Sequence, residues 1–291
     1  MTVFNLGSIN ADLFYRVPHL VGSGETLAST DFTKGLGGKG ANMSVAIAHG
    51  AARAVHIGAV GVDGRWAVDR LLEYGVDTRW IVQVPEPTGH AVIMVDDAGE
   101  NAILLYPGAN HAVSETHIQN ALQDATEADI FLFQNETSAQ VEGATLASAK
   151  GLRVVYAAAP FDADAVQAVM PLLDILLMNA VEAEQLSGAM GVELGALPVR
   201  DIIVTLGADG CRWINTDLGT DETFPAVPVT PVDTTGAGDT FTGFLLAALD
   251  RGQPMEQAIT LGQQAGAIMV TRHGTADVIP DLKDIQDMRL G

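Results

Sequence analysis

The chain has 291 residues, with 15 Lys plus Arg against 36 Asp plus Glu and a formal net charge of -21. That balance leaves no basic stripe for DNA or RNA and opposes docking on an anionic membrane, although backbone N–H groups with Mg2+ can still hold a nucleotide locally. Apolar residues make up 48%, enough for a sizeable core, and the lone cysteine, Cys211, excludes an intrachain disulfide.

The opening stretch MTVFNLGSIN moves straight into an apolar run with no basic leader. No apolar run reaches the roughly 18 residues of a membrane span. A cytoplasmic protein is the expectation. Residues 3–9 read as a strand. Residues 11–34 then break the rhythm with Pro and Gly and no helical period. GLGGKGAN, Gly35 to Asn42, formally matches the dinucleotide fingerprint G-x-G-x-x-G, with Asp63 a little over twenty residues on. The preceding LASTDFTK is polar, unlike a buried first strand, so the match is weak.

Further along, helical stretches are expected at 41–50, 64–75, 138–151 and 181–188, each ending at or before a glycine. Between them AVHIGAV, DIFLF, LRVVYAAA, DILLMN and DIIVTLG are near-continuous apolar runs, the pattern of strands buried on both faces. Residues 88–107 read as a hairpin around DDAGEN. DGCRWI reads as a strand that buries Cys211. The βαβα alternation predicts an α/β fold with a mainly parallel sheet layered between helices. The body is expected at 1–10, 35–87 and 108–291. Segments 11–34 and 88–107 are expected to form a small antiparallel β lid, with an apolar face suited to a second chain.

The decisive stretch is VDTTGAGDTFTGFLLAALD, residues 232–250. Gly236, Ala237 and Gly238 precede an apolar helix, whose first N–H groups lack partners and carry the positive end of the dipole. The loop is therefore a candidate anion hole for a transferring phosphoryl group. Asp239 is either an N-cap or the acceptor of a proton from an attacking hydroxyl. No G-x-x-x-x-G-K-[ST] motif is present, so a nucleoside triphosphate is not held by a P-loop. The seven histidines show no zinc-ligand spacing.

GSINAD at 7–12, GGKGAN at 37–42, NAVEAE at 179–184, TLGADG at 205–210 and DTTGAGDTF at 233–241 occur in one order. In this the chain resembles the ribokinase group of the PfkB-type carbohydrate kinase family over nearly its whole length. The resemblance implies ATP-dependent phosphorylation of a sugar, with ribose as the leading acceptor. It implies Asp239 as general base and Gly236, Ala237 and Gly238 as anion hole. It also implies Asn10, Asp12, Gly38, Lys39, Asn42 and Glu136 as sugar ligands. Asn179 and Glu182 would organise Mg2+ and phosphates, while Thr205, Gly207 and Gly210 would line the nucleotide. A potassium-type cation would sit by Asp233, Thr235, Arg272 and Gly274, although Val278 departs from the family's frequent serine. A homodimer through the lid is also implied.

Each residue keeps a structural alternative: an Asx-turn at Asn10 and Asp12, a helix start at Asn179 and Glu182, a hairpin turn at Gly207 and Gly210. Competing functions are a kinase for fructose or adenosine, a nicotinamide-dependent dehydrogenase and a non-catalytic sugar sensor.

Overall fold

The computed structural model describes residues 1–290. Its larger sheet contains β1 (Thr2–Leu6), β4 (Arg53–Val60), β5 (Asp77–Gln83), β8 (Ile130–Gln134), β9 (Arg153–Ala157), β10 (Ile175–Asn179), β11 (Asp201–Thr205), β12 (Cys211–Asn215) and β13 (Thr220–Phe224). Their order across the sheet is β13-β12-β11-β10-β9-β8-β1-β4-β5. The neighbours from β5 through to β11 are parallel; β12 and β13 run antiparallel at one edge.

Both faces of this sheet are covered, as the apolar runs predict. Val3, Leu132, Val155 and Ile203 pack toward α1 (Lys39–His49), α7 (Ala237–Asp250) and α8 (Met255–Met269). Alternate residues Phe4, Phe131, Val154 and Ile202 face the other way, toward α3 (Glu115–Ala121), α4 (Gln140–Ala149), α5 (Ala163–Val169) and α6 (Ala180–Met190). Two-residue alternation thus divides each strand between two apolar layers. The helices α2 (Arg65–Glu73) and α9 (Leu282–Leu290) complete the chain.

The second sheet has the order β3-β2-β6-β7, from β2 (Asn10–Arg16), β3 (Asp31–Gly37), β6 (Gly89–Val95) and β7 (Asn101–Tyr106). The β2–β3 and β6–β7 pairs are antiparallel and are joined by a parallel β2–β6 pairing. Its strands reach Asn10 at one end and Gly37 at the other, slightly wider than the 11–34 segment.

Topology gathers the site. Parallel strands end on one side, so Gly7, Glu136, Asn179 and the end of β11 share the carboxyl edge of the sheet. From β1 the chain passes to β4 on one side, while β8 and later strands build the other. The crevice beside such a reversal is where open α/β sheets bind ligands.

Candidate active site

The N-cap of α7 is Gly236, at φ 72°, with no side-chain capping bond. Glycine adopts this left-handed backbone without a Cβ penalty, and the chain turns there into the helix. Asp239 is therefore not the N-cap; it lies three residues on, within the first turn. The amides of Gly236, Gly238 and Asp239 find no acceptor among the described residues, whereas Ala237 N donates to Thr234 O at 3.3 Å. Three unpaired N–H groups at a helix's positive end make a ready cradle for anionic oxygen.

Asp239 is buried, and its Oδ2 accepts from Asn42 Nδ2 at 2.9 Å. The contact is set by packing: a Cβ at Gly243 would fall 2.3 Å from the Ala46 Cβ, so glycine lets α7 lie against α1. Asn42 Oδ1 is buried without a partner, an acceptor waiting for a donor.

Lys39 opens α1, with Asp12, Glu136 and Glu182 as further ionisable groups around the crevice. Asp239, then Glu136 and Glu182, raise the Lys39 pKa against the effect of burial, so the ammonium stays charged. Burial raises the Asp12 pKa to about 7, with Glu136 and Asp239 adding repulsion. Burial also raises Glu136, opposed by the Lys39 charge and by Ser8, whose Oγ donates to Glu136 Oε2. The Lys39 amide donates to the same oxygen at 3.2 Å.

Asn10 and Asp12 lie within β2 and do not form an Asx-turn. Gly38 precedes Lys39 as the N-cap of α1. Asn179 and Glu182 form a capping box at the start of α6: Glu182 N donates to Asn179 Oδ1 at 2.9 Å, and Asn179 N to Glu182 Oε2 at 2.7 Å. The helix-start reading of this pair is correct. Glu182 also senses the crevice, because burial chiefly raises its pKa while Lys39 lowers it and Asp239 raises it. Thr205 ends β11, and Gly207 and Gly210 flank the turn into β12.

Asp233 Oδ1 accepts from Thr235 N at 2.9 Å and Oδ2 from Gly274 N at 3.4 Å. Burial would raise its pKa, but these bonds outweigh it and hold the carboxyl below the usual range. The Arg272 guanidinium is committed to Val278 O and Asp284, which leaves only main-chain oxygen to offer a cation. Among the described residues, no cluster of three or more His, Cys, Asp or Glu could hold a metal.

The dinucleotide reading of Gly35–Gly40 fails. Gly35 and Gly37 lie inside β3, whose first four residues are exposed at the edge of the second sheet, away from the parallel sheet. Ser8 and Asn110 are contacts that the sequence reading did not identify. Asn110, in the turn Gly108–Ala112, accepts from Ile9 N at 2.9 Å and donates to Asn10 Oδ1 at 2.8 Å. PGANH carries no spacing signal that would have marked it.

The family model described as pfkB family carbohydrate kinase matches residues 2–282. The chain belongs to this family. This family member is 35% identical to a ribokinase of Haemophilus influenzae over 294 residues, covering 96% of this chain and 95% of the other. Among solved structures, Thermotoga maritima ribokinase matches with a TM-score of 0.89 and 30% identity, covering 100% of both chains. Arabidopsis thaliana ribokinase, solved with ribose and ATP, matches with a TM-score of 0.86 and 27% identity, covering 99% and 98%. A pfkB kinase is a phosphotransferase to an alcohol, in agreement with the acid beside an anion cradle. Among the described residues no helix is long and apolar enough to cross a membrane.

Proposed function

We propose that the protein transfers the γ-phosphoryl group of ATP to O5 of D-ribose. The observation that carries this reading is buried Asp239, held by Asn42 in the first turn of a helix where the amides of Gly236, Gly238 and Asp239 lack acceptors. Asp239 takes the hydroxyl proton as O5 bonds to the γ-phosphorus. The bond from that phosphorus to the β–γ bridging oxygen breaks, and ADP leaves with the electron pair. The amides of Gly236, Gly238 and Asp239, with Lys39, face the charge that develops on the transferred group.

Asn10, Asp12, Gly38, Asn42 and Glu136 line the sugar pocket. Such a polar set suits a polyol and disfavours an apolar nucleobase. Thr205, Gly207 and Gly210 line the nucleotide. Glu182, with Asn179, would hold Mg2+ through water, a fit to an ion that keeps much of its hydration and needs few protein ligands. When bound, Mg2+ neutralises phosphate charge. Asp233 with the carbonyls of Thr235, Arg272 and Gly274 offers an all-oxygen set that suits K+.

The second sheet acts as a lid and as a homodimer interface. Ile103, Leu104, Leu105 and Tyr106 in β7 and Phe32 in β3 are all exposed, with Leu104 at 70%. A buried lone thiol and use of ATP suit the cytoplasm.

The test is ADP release with ATP and Mg2+ over ribose, deoxyribose, fructose and adenosine, with and without K+. Ribose should give the highest kcat/KM; preference for another acceptor reassigns the substrate.

A further inference from the structure

We infer that Asn110 fixes the hydrogen-bonding polarity of Asn10, so that Asn10 meets the sugar as a donor. The inference rests on the placement of Asn10 in the sugar pocket.

One group in this relay has no choice of role. A backbone N–H can only donate, and Ile9 N donates to Asn110 Oδ1 at 2.9 Å. This determines which end of the Asn110 amide is oxygen. Its Nδ2 must then face Asn10, where only an acceptor satisfies it, and Asn10 Oδ1 accepts at 2.8 Å. With its oxygen taken, Asn10 has its NH2 left for the pocket. That NH2 finds no partner among the described residues. Two freely rotatable amides are thus set by one main-chain amide.

The relay is protected from disturbance. Asn110 is 2% exposed. Its own main chain is tied on both sides, Asn110 N donating to Pro107 O at 3.1 Å and Asn110 O accepting from Ser138 N at 3.2 Å. A Cβ at Gly89 would stand 2.3 Å from Asn110 Nδ2 and 2.5 Å from Asn10 Oδ1, in the space the bond occupies. Inside a low-dielectric site, reversing the Asn10 amide would set NH2 against NH2, and reversing that of Asn110 would set oxygen against oxygen, at the full cost of unpaired buried groups. Asn110 is therefore a positioning residue: it touches Asn10, not the sugar. The pocket gains one fixed donor, which selects a hydroxyl oxygen able to accept.

The test is Asn110→Asp, alone and combined with Asn10→Ala. The new carboxylate still accepts from Ile9 N but cannot donate, so Asn10 turns its NH2 inward and shows oxygen to the sugar. The expected result is a rise of about tenfold in KM for ribose, with kcat and KM for ATP within about twofold. Protonating that carboxyl rebuilds the donor. The excess KM over the parent should therefore shrink as pH falls; the ratio is read because Asp12 and Glu136 titrate in both proteins. In the Asn10→Ala chain the same substitution should change nothing further. A fixed ratio across pH, or equal effects with and without Asn10, overturns the relay alone. An Asn10→Ala KM equal to the parent's overturns the sugar-pocket placement and the relay with it. If Asn110→Asp does not fold, Asn110→Ser serves: its short hydroxyl cannot span both groups, and its effect on KM must again require Asn10.

Discussion

The side-chain amide of Asn42 donates to Asp239 across 2.9 Å and joins the first turn of α1 to the first turn of α7. The bond occupies Oδ2 and leaves Oδ1 for a hydroxyl proton. Asp239→Asn removes the base but keeps the volume. Turnover should fall about 10²–10⁴-fold, with the ATP dissociation constant within about twofold. A coupled ADP-release assay and calorimetric titration with ATP measure the two. Full turnover in the variant removes Asp239 from the chemistry.

Asp12 gives the free enzyme a pH signature. Its pKa stands at about 7, against 3.8 ordinarily. Between those values the native state holds a proton that the unfolded chain releases. This contribution to stability therefore falls as pH rises through the window. Asp12→Asn cannot ionise, so it should melt higher than the parent above pH 7 while its KM for ribose rises. Thermal melting across pH checks the first and steady-state kinetics the second. A variant that melts lower throughout contradicts the assignment.

His56 produces the opposite slope. It is fully buried between Ser44 Oγ at 2.8 Å and Gly7 O at 3.0 Å. Burial lowers its pKa to about 4, from 6.5, despite the Gly7 bond. Over that interval the unfolded chain binds the extra proton, so this contribution is lost as pH falls from 6.5 toward 4. In NMR titration its imidazole should stay neutral at pH 5; a protonated ring at that pH refutes the burial argument.

The capping box permits a separation of roles at α6. Asn179→Ala removes the bond to Glu182 N and should cost about 1 kcal/mol of stability. Glu182→Gln can still accept from Asn179 N. It should leave the melting temperature nearly unchanged and raise the Mg2+ concentration needed for half-maximal rate. Loss of stability with an unchanged Mg2+ profile would restrict Glu182 to capping.

The lid makes an assembly prediction. Leu104→Lys places a charge on the exposed β7 strand of the second sheet, far in sequence from Asp239, which lies on helix α7. Light scattering should report a dimer for the parent and a monomer for the variant at the same concentration. A monomeric parent rules out the interface.

The parallel strands were legible because burial on both faces leaves nearly unbroken runs such as FLF at 131–133 and ILLM at 175–178. The helix starts were less so: α1 begins at Lys39 and not Ala41, because Lys39 and Gly40 follow two glycines and read as loop. The second sheet hid its outer strand. DFTKGLG in β3 is exposed over its first four residues and shows no alternation. β13, TDETF, is a polar edge that among the described residues pairs only with β12. Asp239 and Lys39 stood out through the glycines beside them. Asn110 did not, since its partners Ile9 and Asn10 lie a hundred residues away in the chain.

Asn10 and Asp12 belong to a strand of the second sheet, the proposed cover, while Lys39, Asn42 and Asp239 are rooted in two helices of the body. Under the proposed function, grip and enclosure would then be one mechanical act. A sugar whose oxygens satisfy both halves would latch the flap shut over the phosphates; one lacking an oxygen would leave it ajar, and water would be admitted before the phosphoryl group could move.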